Sequence, residues 1–283
     1  MRSSRLTAFV VAVVAVPLLL TLADCGSGSS SSSDSTAAAK EPPKGVVRVV
    51  YAKPASGEDR IGKELLVASE TKAVASGLAK TFELPQPLTV KGVNGIGGGP
   101  FYNPEDNSIT LPYGFAALIY KLELESNPGE SEFKIGERIG AVNSFIFAHE
   151  FGHALIANYE LPVLGKEEDA ADAISTIVLL TVPHGAEYAA SAAAFWATFS
   201  GRQEPPAIVE YADTHSLDLQ RAFDILCWIA GSSEKSFQEV AALEALPQSR
   251  LDTCPGEYEL LAKSFKAEVQ PHLKHLINLR AAE

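Results

Sequence analysis

The stretch Ile146-Phe147-Ala148-His149-Glu150-Phe151-Gly152-His153-Ala154-Leu155 constrains this chain more than any other. Residues four apart lie on one face of a helix, so His149 and His153 can aim their imidazoles at a single point. Neutral imidazole nitrogen is a good ligand for Zn²⁺, which favours tetrahedral coordination. Glu150, beside the first histidine, can take a proton from water activated at such a site. Phe147, Ala148, Phe151, Ala154 and Leu155 are uncharged, as a helix buried behind a metal requires. Without a metal, the same helix would carry three polar groups into an apolar setting, at about 1–3 kcal/mol for each left unpartnered.

Two imidazoles do not complete a zinc site. The nearest carboxylates downstream lie in Gly165-Lys166-Glu167-Glu168-Asp169-Ala170-Ala171-Asp172. Pro162 cannot continue a helix and Gly165 permits a turn. A second helix is therefore expected from Lys166, with acids in the first turn where the macrodipole favours them. Capping accounts for some of these acids. It does not account for Glu168 and Asp172 standing four apart on the face that carries Ala171 and Ser175. Glu167, Glu168 and Asp169 share one helix turn, and each is a candidate third ligand.

Here the chain resembles the gluzincins, zinc metallopeptidases whose third ligand is a glutamate on a second helix. An aspartate four residues further on holds the first histidine in that group. The resemblance implies Glu168 as third ligand and Asp172 as partner of His149, a contact that fixes the tautomer and raises ligand basicity. The metzincin pattern does not fit, because it needs glycine and histidine where the chain has Ile156 and Tyr159. More narrowly, the chain is similar to a metallopeptidase-like family of bacterial secreted and lipid-anchored proteins, known mainly as a domain of unknown function. The similarity covers about residues 45–265. Its carriers are Phe101-Tyr102-Asn103-Pro104, Ile109-Thr110-Leu111-Pro112-Tyr113, the His149 and Glu168 stretches, His215-Ser216-Leu217-Asp218-Leu219-Gln220-Arg221 and Cys227-Trp228. The family often has cysteine where this chain has Pro112. Gluzincins also place a downstream histidine or tyrosine on the oxygen of the scissile carbonyl. By that resemblance His215, in Asp213-Thr214-His215, is a catalytic candidate beside Glu150, with Tyr211 and Arg221 as rivals.

The first 25 residues resemble an export signal: Arg2 and Arg5, then an apolar run from Thr7 to Ala23. Leu22-Ala23-Asp24-Cys25-Gly26 resembles a lipoprotein cleavage box, in which Cys25 would take the lipid. Asp24 departs from the small residue preferred there, so cleavage after Ala23 is the rival, and an uncleaved anchor a third possibility. Residues 26–44 are Ser-rich and suit a flexible tether. An exported chain meets an oxidising compartment. Cys227 and Cys254, 27 positions apart, are then expected to pair, leaving Cys25 for lipidation. The alternative is two buried free thiols.

A β-branched strand is expected from Val46 to Ala52, an amphipathic helix over Glu58–Phe82, a second strand from Pro87 to Val93 and a hairpin from Phe101 to Tyr113. In gluzincins such a hairpin lies beside the metal, its free edge receiving substrate backbone. Helices follow over Phe115–Leu124, Glu137–Asn158, Lys166–Leu180, Ala186–Phe199, Leu217–Ala230, Phe237–Leu246 and Tyr258–Val269. No repeat or second composition regime divides residues 45–283, which are expected to form one catalytic domain. The expected class is α+β and zincin-like, a small N-terminal sheet with a mostly helical C-terminal body.

The expected function is an exported, membrane-anchored or secreted Zn²⁺ peptidase acting on a peptide or protein substrate. A zinc hydrolase of a non-protein envelope amide is a second reading. A metal-stabilised, inactive binding lipoprotein is a third, but a structural zinc site has no need of Glu150. A formal net charge of −12 argues against nucleic acid as a partner.

Overall fold

A computed structural model describes residues 45–201, 208–277 and 279. The expected export signal and tether lie outside the described residues.

Among the described residues, four short strands make one sheet: β1 (Val47–Tyr51), β2 (Leu88–Val93), β3 (Phe101–Asn103) and β4 (Ser108–Pro112). Their order is β1-β2-β4-β3. The first two pairings are parallel and β3–β4 is antiparallel. Strand β4 is buried throughout, as the centre of a covered sheet must be. It ends on Pro112, which could not donate in a longer ladder. The hairpin turn falls where Asn103-Pro104-Glu105-Asp106-Asn107 placed it. The Asn103 carboxamide accepts from the Glu105 N–H, and Asn107 takes the left-handed φ of 46° that asparagine tolerates well.

Strands β1 and β2 are parallel, so the chain must cross over between them. The single helix expected over Glu58–Phe82 is two: α1 (Gly57–Ala68) and α2 (Thr71–Thr81). The break has a local cause. The Ser69 hydroxyl donates back to the Leu65 carbonyl and the Thr71 hydroxyl to Leu66, while Glu70 turns to φ 51°. These side chains compete for the carbonyls at the end of α1. Gly62 then lets α1 lie on the start of α3 (Tyr113–Ser126), since a Cβ there would stand 1.9 Å from the Tyr113 carbonyl oxygen.

Helix α4 (Glu132–Tyr159) is the axis of the body. It starts five residues before the expected Glu137, because Ser131 caps it by accepting from the Lys134 N–H. From Phe145 to Ile156 every residue is buried, as a helix enclosed on all sides must be. The sheet, α3, α5 (Glu167–Leu180) and α6 (Gly185–Ser200) surround it. Next come α7 (Ile208–Tyr211), α8 (Asp218–Ser232), α9 (Glu234–Ala242), α10 (Gln248–Leu251) and α11 (Cys254–Glu268). Helix α8 packs on α6 and α11. The expected Cys227–Cys254 disulfide is formed and ties α8 to the first residue of α11. The result is the α+β arrangement expected: a small N-terminal sheet and a helical body.

Candidate metal centre

The site is built where α4 and α5 pack against each other. His149 and His153 are one turn apart on α4. After α4 ends at Tyr159, the chain passes Pro162 and Gly165 and returns as α5, with Glu167, Glu168 and Asp169 in its first turn. Close approach depends on Gly152. A Cβ there would lie 3.1 Å from Ala171 Cα and 3.2 Å from the Ala171 carbonyl oxygen.

Three ligand-type atoms form a nearly equilateral triangle. His149 Nε2 and His153 Nε2 are 3.2 Å apart, and Glu168 Oε2 is 3.1 Å from each. Donor atoms held by one tetrahedral Zn²⁺, at about 2.0–2.1 Å each, stand about 3.3 Å from one another. The donor set and its spacing therefore suit such an ion. His215 Nε2 lies 2.9 Å from the same Glu168 oxygen. The ligand-type atoms of His149, Glu168 and His215 all fall within 4.8 Å of one another, a group that could hold a metal ion. Of the three acids left open by the sequence, Glu168 alone touches both Nε2 atoms. Glu167 reaches the far side of His153, accepting from Nδ1 at 2.8 Å. Asp169 turns away to accept from the Ser216 hydroxyl.

The surroundings orient these groups. His149 Nδ1 is 2.8 Å from Asp172 Oδ1, which leaves Nε2 free to face the cluster. Asp172 in turn receives two hydrogen bonds from Arg221, 2.7 Å from Nε and 2.9 Å from a terminal nitrogen. The Arg221 guanidinium lies over the Trp196 ring, 4.0 Å from its centroid, so this buried cation has partners on its edge and its face. His215 is held by Asp213, whose carboxylate accepts from its backbone N–H and pairs with Nδ1. Lys166 donates to the carbonyls of Asp213 and His215, stapling that loop to the start of α5. Tyr211, the other rival for this role, stands 62% exposed.

The charges follow. Burial would lower the His149 pKa, but Asp172 and Glu168 outweigh it and push it up to about 9. His215 is raised first by its hydrogen bond to Glu168. Burial opposes ionisation of Glu168 and Asp172, yet the imidazoles around the first and Arg221 beside the second hold both carboxyls well below the usual range. Glu150 differs: burial pushes its carboxyl up. Its neighbours on a cavity of about 540 Å³ include His149, His215 and Arg221.

Sequence reasoning missed the Arg221–Asp172 pair, the Trp196 stack and the Lys166 staple. From the sequence, Arg221 is a rival of His215 at the carbonyl oxygen, not the partner of Asp172. The spacing of 49 positions between it and Asp172 carries no local signal.

An α+β fold with a His-Glu-x-x-His helix, packed against a return helix bearing a carboxylate, is the arrangement expected of a metallopeptidase, a class of hydrolase. The chain belongs to the DUF4344 family, whose model, described as a putative metallopeptidase, matches residues 51–267. No curated protein and no solved structure matches the chain significantly.

Proposed function

We propose that the protein is an exported zinc peptidase in which His149, His153 and Glu168 hold Zn²⁺ and Glu150 is the general base. The observation that carries this reading is the triangle of two Nε2 atoms and one carboxylate oxygen beside the cavity that Glu150 also lines. Zinc held there would supply Lewis acidity, acidifying water and polarising a carbonyl oxygen. Glu150 accepts the proton of the attacking water and passes it to the leaving amine. A carboxyl whose pKa is raised by burial suits both halves of that transfer. His215 donates from Nε2 to the carbonyl oxygen as it becomes negative, with Asp213 fixing the ring. Asp172, backed by Arg221, keeps His149 in the ligating tautomer. Strand β3 lies at the sheet edge, and Gly98-Gly99-Pro100 leads into it along the cavity. Its outer backbone groups can pair with an extended substrate.

Export is part of the proposal. Residues 1–25 act as signal and 26–44 as tether, with Cys25 as lipid-bearing residue and residues 45–283 as the catalytic domain. The Cys227–Cys254 disulfide is compatible with the oxidising compartment that export would provide.

Metal analysis tests the ligand set. The wild type should carry one zinc per chain. His149→Ala, His153→Ala and Glu168→Ala should each lose zinc and thermal stability together, because a metal bound to the native state adds to its stability. Full zinc in Glu168→Ala, with loss in Glu167→Ala or Asp169→Ala, would reassign the third ligand.

A further inference from the structure

Resting on the peptidase reading, we infer that the protein selects cationic peptides and cleaves them beside a bulky apolar residue. The first observation is the cavity wall. Phe115 from α3, Phe145 and Ile146 from α4, and Trp196 and Phe199 from α6 all line it. Ile146 is four residues before Glu150 on the same helix, so this apolar surface begins one turn from the proposed base. A cavity of about 540 Å³ admits a large side chain together with adjoining backbone. A side chain entering it leaves water for aromatic and aliphatic carbon.

The second observation is the charge at the rim. Glu210, Asp213 and Asp218 all line the cavity. Among the described lining residues Arg221 is the one lysine or arginine, and it is committed to Asp172 and to the Trp196 face. Lys166, behind the His215 loop, is turned to backbone carbonyls. Asp213 is paired with His215, whereas Glu210 and Asp218 have no ion-pair partner among the described residues, so acid outnumbers base on the lining that an incoming chain meets. A peptide with a large apolar residue at the cleaved bond and lysine or arginine close by complements both features.

The test uses the full-length, zinc-loaded protein and a synthetic peptide library read by mass spectrometry. Each position is varied among Phe, Leu, Gly and Asp, with flanks of either Lys or Glu. Cleavage should fall beside Phe or Leu, with kcat/KM about 10–100-fold above Gly. Lys-flanked peptides should exceed Glu-flanked ones by about 5–10-fold at low salt, and the gap should close at about 0.5 M salt. Phe199→Ala should reduce the apolar preference. Glu210→Gln with Asp218→Asn should reduce the charge preference at low salt and leave the apolar one. Cleavage indifferent to side chain, or favouring acidic flanks, overturns the inference while leaving the peptidase reading intact. Failure of the zinc-loaded protein to cut any peptide overturns the peptidase reading, and this inference with it.

Discussion

Asp172 faces two ways, and its neighbours set what each contact does. Toward the cluster it holds His149 Nδ1, and away from it Arg221 neutralises it. All three side chains are buried. Removing one partner of a buried pair leaves the other charge without compensation, at a cost of about 3–5 kcal/mol. Arg221→Leu should therefore destabilise the protein by about that much, read as a lower denaturant midpoint. A loss under about 1 kcal/mol would mean that Asp172 is solvated rather than dependent on Arg221. Asp172→Ala should weaken zinc binding about 10–100-fold in a chelator competition, as loss of a group behind a ligand does. Sequence made the α4 and α5 residues of this set visible because four-residue spacing is a property of the helix itself. It could not show that Arg221 serves Asp172, since that contact exists only after α8 has packed beside α5.

At the level of elements, the centre depends on how closely α4 and α5 approach. The Gly152 position has the room of a hydrogen and little more, with Ala171 opposite. Gly152→Val should force α5 outward and carry Glu168 away from the two imidazoles. The measurable result is loss of zinc together with stability. Gly136→Ala, on the same helix where nothing lies within 4 Å of a new Cβ, should change neither. Equal zinc content in Gly152→Val and wild type would contradict the packing argument. Helix α4 was legible from its long apolar run, and its early start from Ser131 less so. The break between α1 and α2 was not legible, because apolar positions keep helical spacing through Ser69 and Glu70. Hydroxyl bonds to the last carbonyls decide it, and a hydropathy pattern does not carry them.

Across the whole molecule, the sheet and the helical body are joined through α4, and the far side of the body is fastened by Cys227–Cys254. Closing a loop of this length contributes about 3 kcal/mol on chain-entropy grounds. Both cysteines are fully buried. Replacing both with alanine should lower the unfolding midpoint by an amount of that order while leaving zinc content unchanged. Loss of zinc in the folded variant would show that α8 depends on the disulfide to deliver Arg221. The strand hairpin and the helical body could be read from the chain, and so could the cysteine pairing once export was inferred. The order β1-β2-β4-β3 could not, because parallel neighbours meet across long sequence separations and strand composition does not name a partner.

In the proposed mechanism one carboxylate, that of Glu150, performs chemistry that the metal ligands alone do not. Glu150→Gln keeps the size and hydrogen-bonding shape of the side chain and removes its basicity. The decisive measurement is zinc content and peptide hydrolysis on the same preparation of this variant and the wild type. One zinc per chain is expected in both, with hydrolysis abolished in the variant. A zinc-loaded Glu150→Gln protein that cleaves peptide as fast as wild type would contradict the proposed mechanism.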